Sequence, residues 1–315
     1  MVPDPRRPVY HGLRESPSGT ELVIAFYTRG CLYGACSFCS LPALSAGALK
    51  IGEGDIRAQA DFALASLAAR DLARVRRVSV YNSGSVLDQR TLPTPALFHL
   101  IEKVAAMPEL ALVSLDTRAE FVEPAELDGL KARLGRAALE LSIGYEARDA
   151  RMRNRILRKG LSERAFQDLC ALLASKGVRL KAYVMVKPDV ALSDARAALE
   201  AVRTLDHLAA TGKKLGLSIS AHLNPAYVAR GSRLEKEFRE QGYVPPRLWT
   251  VVDSLLPCEH LGLPIQVGLD TEGLAVEGGT FHNCGRCDAR VRKALEAFSA
   301  SQDYGPLKEL SCPCR

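Results

Sequence analysis

Three cysteines fall within nine residues in Arg29-Gly-Cys31-Leu-Tyr-Gly-Ala-Cys36-Ser-Phe-Cys39. The Cys36-x2-Cys39 pair keeps two sulfurs on one side of a short turn, so both can reach one metal cluster, and Cys31 adds a third thiolate. Three thiolates on a four-iron cluster leave one iron without a protein ligand, and that iron can take a small molecule. Four thiolates would instead suit simple electron transfer or structure. A structural zinc ion would need a fourth ligand, and no His or Cys follows closely. Three unrelated thiols at this spacing are improbable.

Four of the nine cysteines stand near the end of the chain, in His282-Asn-Cys284-Gly-Arg-Cys287 and Cys312-Pro-Cys314, around a helix expected from about Asp288 to Ser301. Four thiolates are the number that a tetrahedral structural zinc takes. A second iron–sulfur cluster and a site without metal are the alternatives. Cys258, His260 and His282 stand in reserve as ligands, and Cys170, in an apolar helical stretch, is expected to be a buried small hydrophobe.

The elements that must position the trio alternate. Strands are expected at Glu21–Thr28, Arg77–Tyr81, Leu110–Leu115, Ala138–Gly144, Val178–Val186 and Leu215–Ser220. Helices are expected between them, at about Ile56–Leu72, Thr94–Ala106, Glu123–Leu134, Ser162–Lys176 and Ser193–Leu208. Six strands separated by helices argue for parallel β/α units with right-handed crossovers. The fold class is therefore α/β, a partial (β/α)6 TIM-like barrel with a small C-terminal cysteine-rich module. The expected division is an N-terminal extension at 1–20, the barrel at 21–225 and the module at 226–315. In such folds chemistry sits in the loops after the strands, and the trio directly follows the first one.

The position and spacing of the trio resemble the cluster motif of the radical S-adenosylmethionine (SAM) superfamily, most often C-x3-C-x2-C. Here the first gap holds one more residue, C-x4-C-x2-C; other branches also vary that gap. The resemblance implies a [4Fe-4S] cluster on Cys31, Cys36 and Cys39, and SAM bound at the strand ends. Asn82-Ser-Gly-Ser-Val-Leu-Asp88 matches the glycine-rich motif for the methionine amino group, which falls to Ser83, Gly84 and Ser85. Arg118 is the residue for the SAM carboxylate through its planar fork. Ser142, Gly144 and Glu146 are placed at the rim of the SAM pocket, and Met185 beside the adenine or in the core. The chemistry implied is reductive cleavage of SAM to a 5′-deoxyadenosyl radical, which needs a one-electron donor.

Tyr81-Asn-Ser-Gly-Ser, Ser142-Ile-Gly-Tyr-Glu, Arg158-Lys-Gly160, Lys181-Ala-Tyr-Val-Met-Val-Lys-Pro188, Asn224-Pro225 and the Cys284 motif occur in that order. Together they resemble the radical SAM subunit of archaeosine synthase and, more distantly, the elongator catalytic subunit. That likeness implies C–N cleavage of a lysine-bearing 7-deazaguanine in tRNA, alongside a lysine-transferring partner enzyme. The residues themselves speak less clearly for tRNA. Arg148, Arg151, Arg153, Arg155, Arg158 and Lys159 crowd one segment that would neutralise phosphates. A solvated basic face, or contacts to SAM, accounts for them equally well.

Composition sets the outer limits. The chain has 315 residues, 47% hydrophobic and 25% charged, as in an ordinary globular protein. A net charge of +6 falls short of the strongly basic pattern of dedicated nucleic-acid binders. No apolar run approaches the roughly 20 residues of a membrane span. The first residues lack a signal peptide's apolar core, so a cytoplasmic enzyme is expected. A radical SAM enzyme on a small metabolite or peptide, and a non-catalytic metal-binding RNA protein, are the competing readings.

Overall fold

Apolar, β-branched runs of the sequence become parallel strands, and the alanine- and leucine-rich runs between them become helices. The structure is a computed structural model that describes residues 4–16 and 19–315. It comprises two compact units. One holds residues to Gly34, Leu41–Ile143 and Asp168–Leu180; the other holds Ala35–Ser40, Gly144–Gln167 and Lys181–Arg315.

In the first unit β2 (Gly19–Phe26), β3 (Arg77–Asn82), β4 (Leu112–Thr117) and β5 (Ala138–Glu146, to Ile143) are parallel neighbours in sequence order. Helices α1 (Glu53–Ala65), α2 (Ala69–Leu72), α3 (Thr94–Ala105) and α4 (Pro124–Leu134) connect them. Pro95 and Pro124 open the last two from the first turn, where a missing N–H costs nothing. The second unit holds β6 (Arg179–Val186, from Lys181), β7 (Ile219–Pro225) and β8 (Ile265–Val267), in that order. With them go α6 (Asp194–Leu215), α7 (Arg233–Glu240), α8 (Leu248–Leu255), α9 (Asp288–Ser301) and α10 (Gly305–Lys308). Helix α5 (Glu163–Lys176) precedes β6. Strands β2 to β7 are thus the six of the expected α/β, partial (β/α)6 barrel.

Beyond shifts of two or three residues, four differences from the sequence expectation stand out. Within the supposed extension 1–20, Tyr10–Ser16 forms β1, antiparallel to β2; residues 1–3 and 17–18 lie outside the described residues. The helix expected over Ile56–Leu72 stops at Ala65, where the Ser66 hydroxyl bonds back to the Ala63 carbonyl at 2.9 Å. Helix α6 runs seven residues past Leu208, to the left-handed cap Gly216 at φ 62°. The following strand therefore starts at Ile219 rather than Leu215.

The two faces of β2–β5 differ in chemistry. Leu22, Ile24, Val78, Val80, Val113, Leu115, Leu139 and Leu141 alternate on one face and are all buried. The opposite face carries Glu21, Arg77, Ser79, Ser114, Glu140 and Ser142, also buried. They satisfy one another: Arg77 reaches Glu140 at 2.5 Å and Glu21 at 3.3 Å, Ser114 donates to Glu140 at 2.8 Å, and Ser79 donates to Glu21. Arg14 adds a second cation on Glu21 at 2.9 Å. A low-dielectric interior tolerates such charges only when paired in this way.

Candidate cluster and cofactor site

In the first unit the loop after β2 meets the loop after β3. The Cys31 N–H donates to the Ser83 carbonyl at 3.0 Å. Gly84 packs against Cys31 so tightly that a Cβ there would lie 2.8 Å from the Cys31 Cα. Asn82 shapes this turn, its Oδ1 accepting from the Gly84 N–H at 2.9 Å and its Nδ2 donating to the Ser85 carbonyl at 3.2 Å. The Ser85 hydroxyl lies 2.6 Å from Thr117 Oγ1 and accepts from the Arg118 N–H at 2.8 Å, tying the β3 turn to the end of β4. The Arg118 guanidinium stacks on the Tyr33 ring at 3.7 Å and pairs with Glu120 at 2.5 Å. Ser142 sits deeper, 3.0 Å from Ser114 Oγ, within the polar face.

The other two cysteines of the trio belong to the second unit. Cys36 and Cys39 flank Ser37 and Phe38, and the turn closes from the Cys39 N–H to the Cys36 carbonyl at 3.4 Å. Ser37 anchors it, through its N–H to Leu157 at 3.0 Å and its hydroxyl to Ile156 at 2.7 Å. Lys159 stands 5.7 Å above the Phe38 ring and pairs with Glu146 at 3.0 Å. Gly144 leaves space for that pair, since a Cβ there would collide with both Lys159 Nζ and Glu146 Oε1. Met185 packs on the apolar cluster of Ala147, Met152 and Leu157, with Phe38 also against it.

Cys31, Cys36 and Cys39 are the donor types that the expected cluster takes, and the close approach of Gly84 to Cys31 is one that any Cβ would block. Tyr33 and Phe38, both within the cysteine loop, were not singled out from the sequence. Their aromatic character at the spacer positions was the available signal.

The basic segment after β5 does not form one patch. Arg153 is fully buried, donating to the Leu161 carbonyl at 2.8 Å and the Ala147 carbonyl at 2.6 Å. Arg148 pairs with Glu163 at 3.1 Å, and Lys159 with Glu146. Arg151, Arg155 and Arg158 are exposed. Glu163 also takes His207 at 2.8 Å and the Tyr145 hydroxyl at 2.7 Å.

At the other end of the sequence the structure gathers Cys284, Cys287, Cys312 and Cys314, with all four sulfurs within 4.8 Å of one another. Hydrogen bonding from the Cys314 thiol and the backbone of Cys287 and Arg286 brings the Cys284 thiol down to about 6. The reserve ligands stay apart from this group. Cys258 donates to the Ser254 carbonyl at 3.3 Å, with burial pushing its thiol up to about 11, and His282 faces the Thr280 carbonyl. Cys170 is fully buried, as expected.

No family model matches the chain. In fold, it resembles the Elp3 protein of Methanocaldococcus infernus with an N-terminal deletion, at a TM-score of 0.52 and 12% identity over 78% of this chain and 58% of that one. Spore photoproduct lyase complexed with dinucleoside spore photoproduct gives a TM-score of 0.51 at 16% identity, over 76% and 65%. The chain thus shares the fold of these two proteins. Its named sequence relatives are archaeosine synthase beta subunits. The one from Methanosarcina acetivorans is 25% identical over 76% of this chain and 66% of its own length, and that of Thermococcus kodakarensis 24% over 94% and 90%. An uncharacterised protein of Methanocaldococcus jannaschii is 27% identical over 96% of this chain and 82% of its own. Among the described residues no helix is long and apolar enough to cross a membrane.

Proposed function

We propose that this chain is a radical SAM enzyme that modifies a tRNA base. Cys31, Cys36 and Cys39 hold a [4Fe-4S] cluster, and Ser83, Gly84 and Ser85 take the amino group of SAM. The observation that carries this reading is the contact of Gly84 with Cys31, which sets backbone polar groups of the turn directly beside the cysteine loop. Bound there, cluster and SAM together supply reductive C5′–S cleavage and hydrogen abstraction by a 5′-deoxyadenosyl radical. Arg118 meets the SAM carboxylate by exchange with Glu120, whose side chain is 44% exposed. Ser142, Gly144, Glu146 and Met185 form the adenosine side.

The relatives' names support a reading of the substrate. Two are archaeosine synthase subunits, which favours C–N cleavage of a lysine-bearing 7-deazaguanine in tRNA. A one-electron donor and a lysine-transferring enzyme are the partners in this reading, and the cytoplasm its place. The division of the basic segment favours a second reading, a small-metabolite substrate, because Arg153 is buried and Arg148 and Lys159 are engaged with carboxylates.

Reconstitution without oxygen, followed by assay of 5′-deoxyadenosine with and without tRNA bearing the lysine adduct, separates the two. Stimulation by the tRNA, with archaeosine among the nucleoside products, is the expected result. SAM cleavage that tRNA never stimulates would favour the metabolite. Normal iron binding with no SAM cleavage would leave a non-catalytic metal protein.

A further inference from the structure

The C-terminal thiols are spaced as a single metal ion would set them. Cys284 and Cys287 sulfurs stand 3.8 Å apart, Cys284 and Cys312 3.8 Å, and Cys287 and Cys314 3.7 Å. A zinc ion bonded to four sulfurs at about 2.3 Å in a tetrahedron sets those sulfurs about 3.8 Å from one another. In a four-iron cluster each cysteine binds its own iron, with the body of the cluster between the sulfurs. Ligands of such a cluster stand farther apart than these four do.

We infer that Cys284, Cys287, Cys312 and Cys314 bind a single zinc ion as a tetrahedral tetrathiolate, and that this ion pins the chain end to the second unit. Each thiol gives up its proton on binding. Two N–H donors are already aimed at the sulfurs, as thiolates require: Trp249 Nε1 at 3.3 Å from Cys314 Sγ, and Asn283 Nδ2 at 3.4 Å from Cys287 Sγ. Four protein ligands close the ion to substrate, and zinc has no redox chemistry of its own, so the site serves structure.

The pin has a load path. The Cys314 carbonyl accepts from Arg247 Nη1 at 2.8 Å, Arg247 Nε meets Asp194 at 3.0 Å, and the other Asp194 oxygen takes Lys187 Nζ at 2.6 Å. Lys187, at φ 57°, directly follows β6, and its carbonyl accepts from the Tyr243 hydroxyl at 2.7 Å. The zinc thus braces the loop that leaves β6, the strand that carries Met185. The inference does not depend on the radical SAM reading.

Metal analysis of the whole chain purified in air, beside a variant with Cys31→Ala, Cys36→Ala and Cys39→Ala, tests it. One zinc per chain is expected in both proteins. Zinc-edge X-ray absorption of the unsubstituted protein should show one shell of four sulfurs and no second metal. Cys284→Ser and Cys312→Ser should each drop zinc to near zero while iron reconstitution at the first loop persists. Where those variants fail to fold, the absorption spectrum of the unsubstituted protein decides. Iron and sulfide retained by the triple variant, metal-free protein, or a shell containing nitrogen or oxygen would each overturn the assignment. Loss of SAM cleavage with zinc in place would count against the proposed enzyme and leave the zinc site standing.

Discussion

Gly84 lies against Cys31 so closely that an added Cβ would sit 2.8 Å from the Cys31 Cα and 3.1 Å from its nitrogen. Both obstructing atoms are backbone, so no side chain can swing aside to make room. Glycine is required here by the approach of two loops rather than by its own dihedral angles. Gly84→Ala should force the loops apart at a cost of about 1–3 kcal/mol. The expected result is a Kd for SAM raised by roughly tenfold or more, equal to about 1.4 kcal/mol, with a lower iron content after reconstitution. Equilibrium binding and iron analysis read the two effects. Unchanged SAM affinity would remove this turn from the site.

Gly144 gives a related case at the end of β5, where its missing Cβ makes room for the Lys159–Glu146 pair at 3.0 Å. The two side chains are 13% and 5% exposed, so each charge depends on the other. Lys159→Met strands a buried carboxylate and should cost about 3–5 kcal/mol in urea unfolding. Adding Glu146→Gln to that variant should recover much of the loss, because no unpaired charge then remains.

Acid should weaken the second unit through Glu163 and His207. Burial resists charging Glu163, yet hydrogen bonds from Tyr145 and Gln167 and the charges of His207 and Arg148 hold its carboxyl below the ordinary 4.5. Burial holds His207 below its ordinary 6.5, against the pull of Glu163. Both folded values are depressed, so both contributions are complete above the ordinary values and drain as pH falls through the folded ones. The His207 contribution starts to fade near 6.5 and that of Glu163 near 4.5. Urea midpoints across that range should fall more steeply for the natural chain than for His207→Gln. Parallel slopes would exclude His207 as a source of the acid sensitivity.

Much of this was legible in the sequence, for reasons that can be named. The cysteine loops show because metal ligation fixes residue type and spacing together. Strands β3 to β6 show because buried parallel strands read as apolar runs, and their ends carry the residues singled out for SAM. Strand β1 escaped notice because Tyr-His-Gly-Leu-Arg-Glu-Ser has neither a clean alternation nor buried residues. The end of α6 was hidden because Thr211-Gly-Lys-Lys reads as a loop, while the helix continues through it to the cap at Gly216. The polar face of β2–β5 was missed since Glu21, Arg77 and Glu140 look like surface residues until the register brings them together. The basic segment misled for the converse reason. Its arginines are adjacent in sequence, but the π-helical turn at Met152–Ile156 helps send Arg153 inward and leaves Arg151 and Arg155 outside.

The proposed binding of SAM to an iron left open by Cys31, Cys36 and Cys39 is tested most directly by electron paramagnetic resonance of the reduced, reconstituted protein, before and after addition of SAM. A [4Fe-4S] signal whose g-values change when SAM is added is expected, with 5′-deoxyadenosine in the spent sample and both lost in Cys36→Ala. A cluster signal that SAM leaves unchanged, without any 5′-deoxyadenosine, would contradict it.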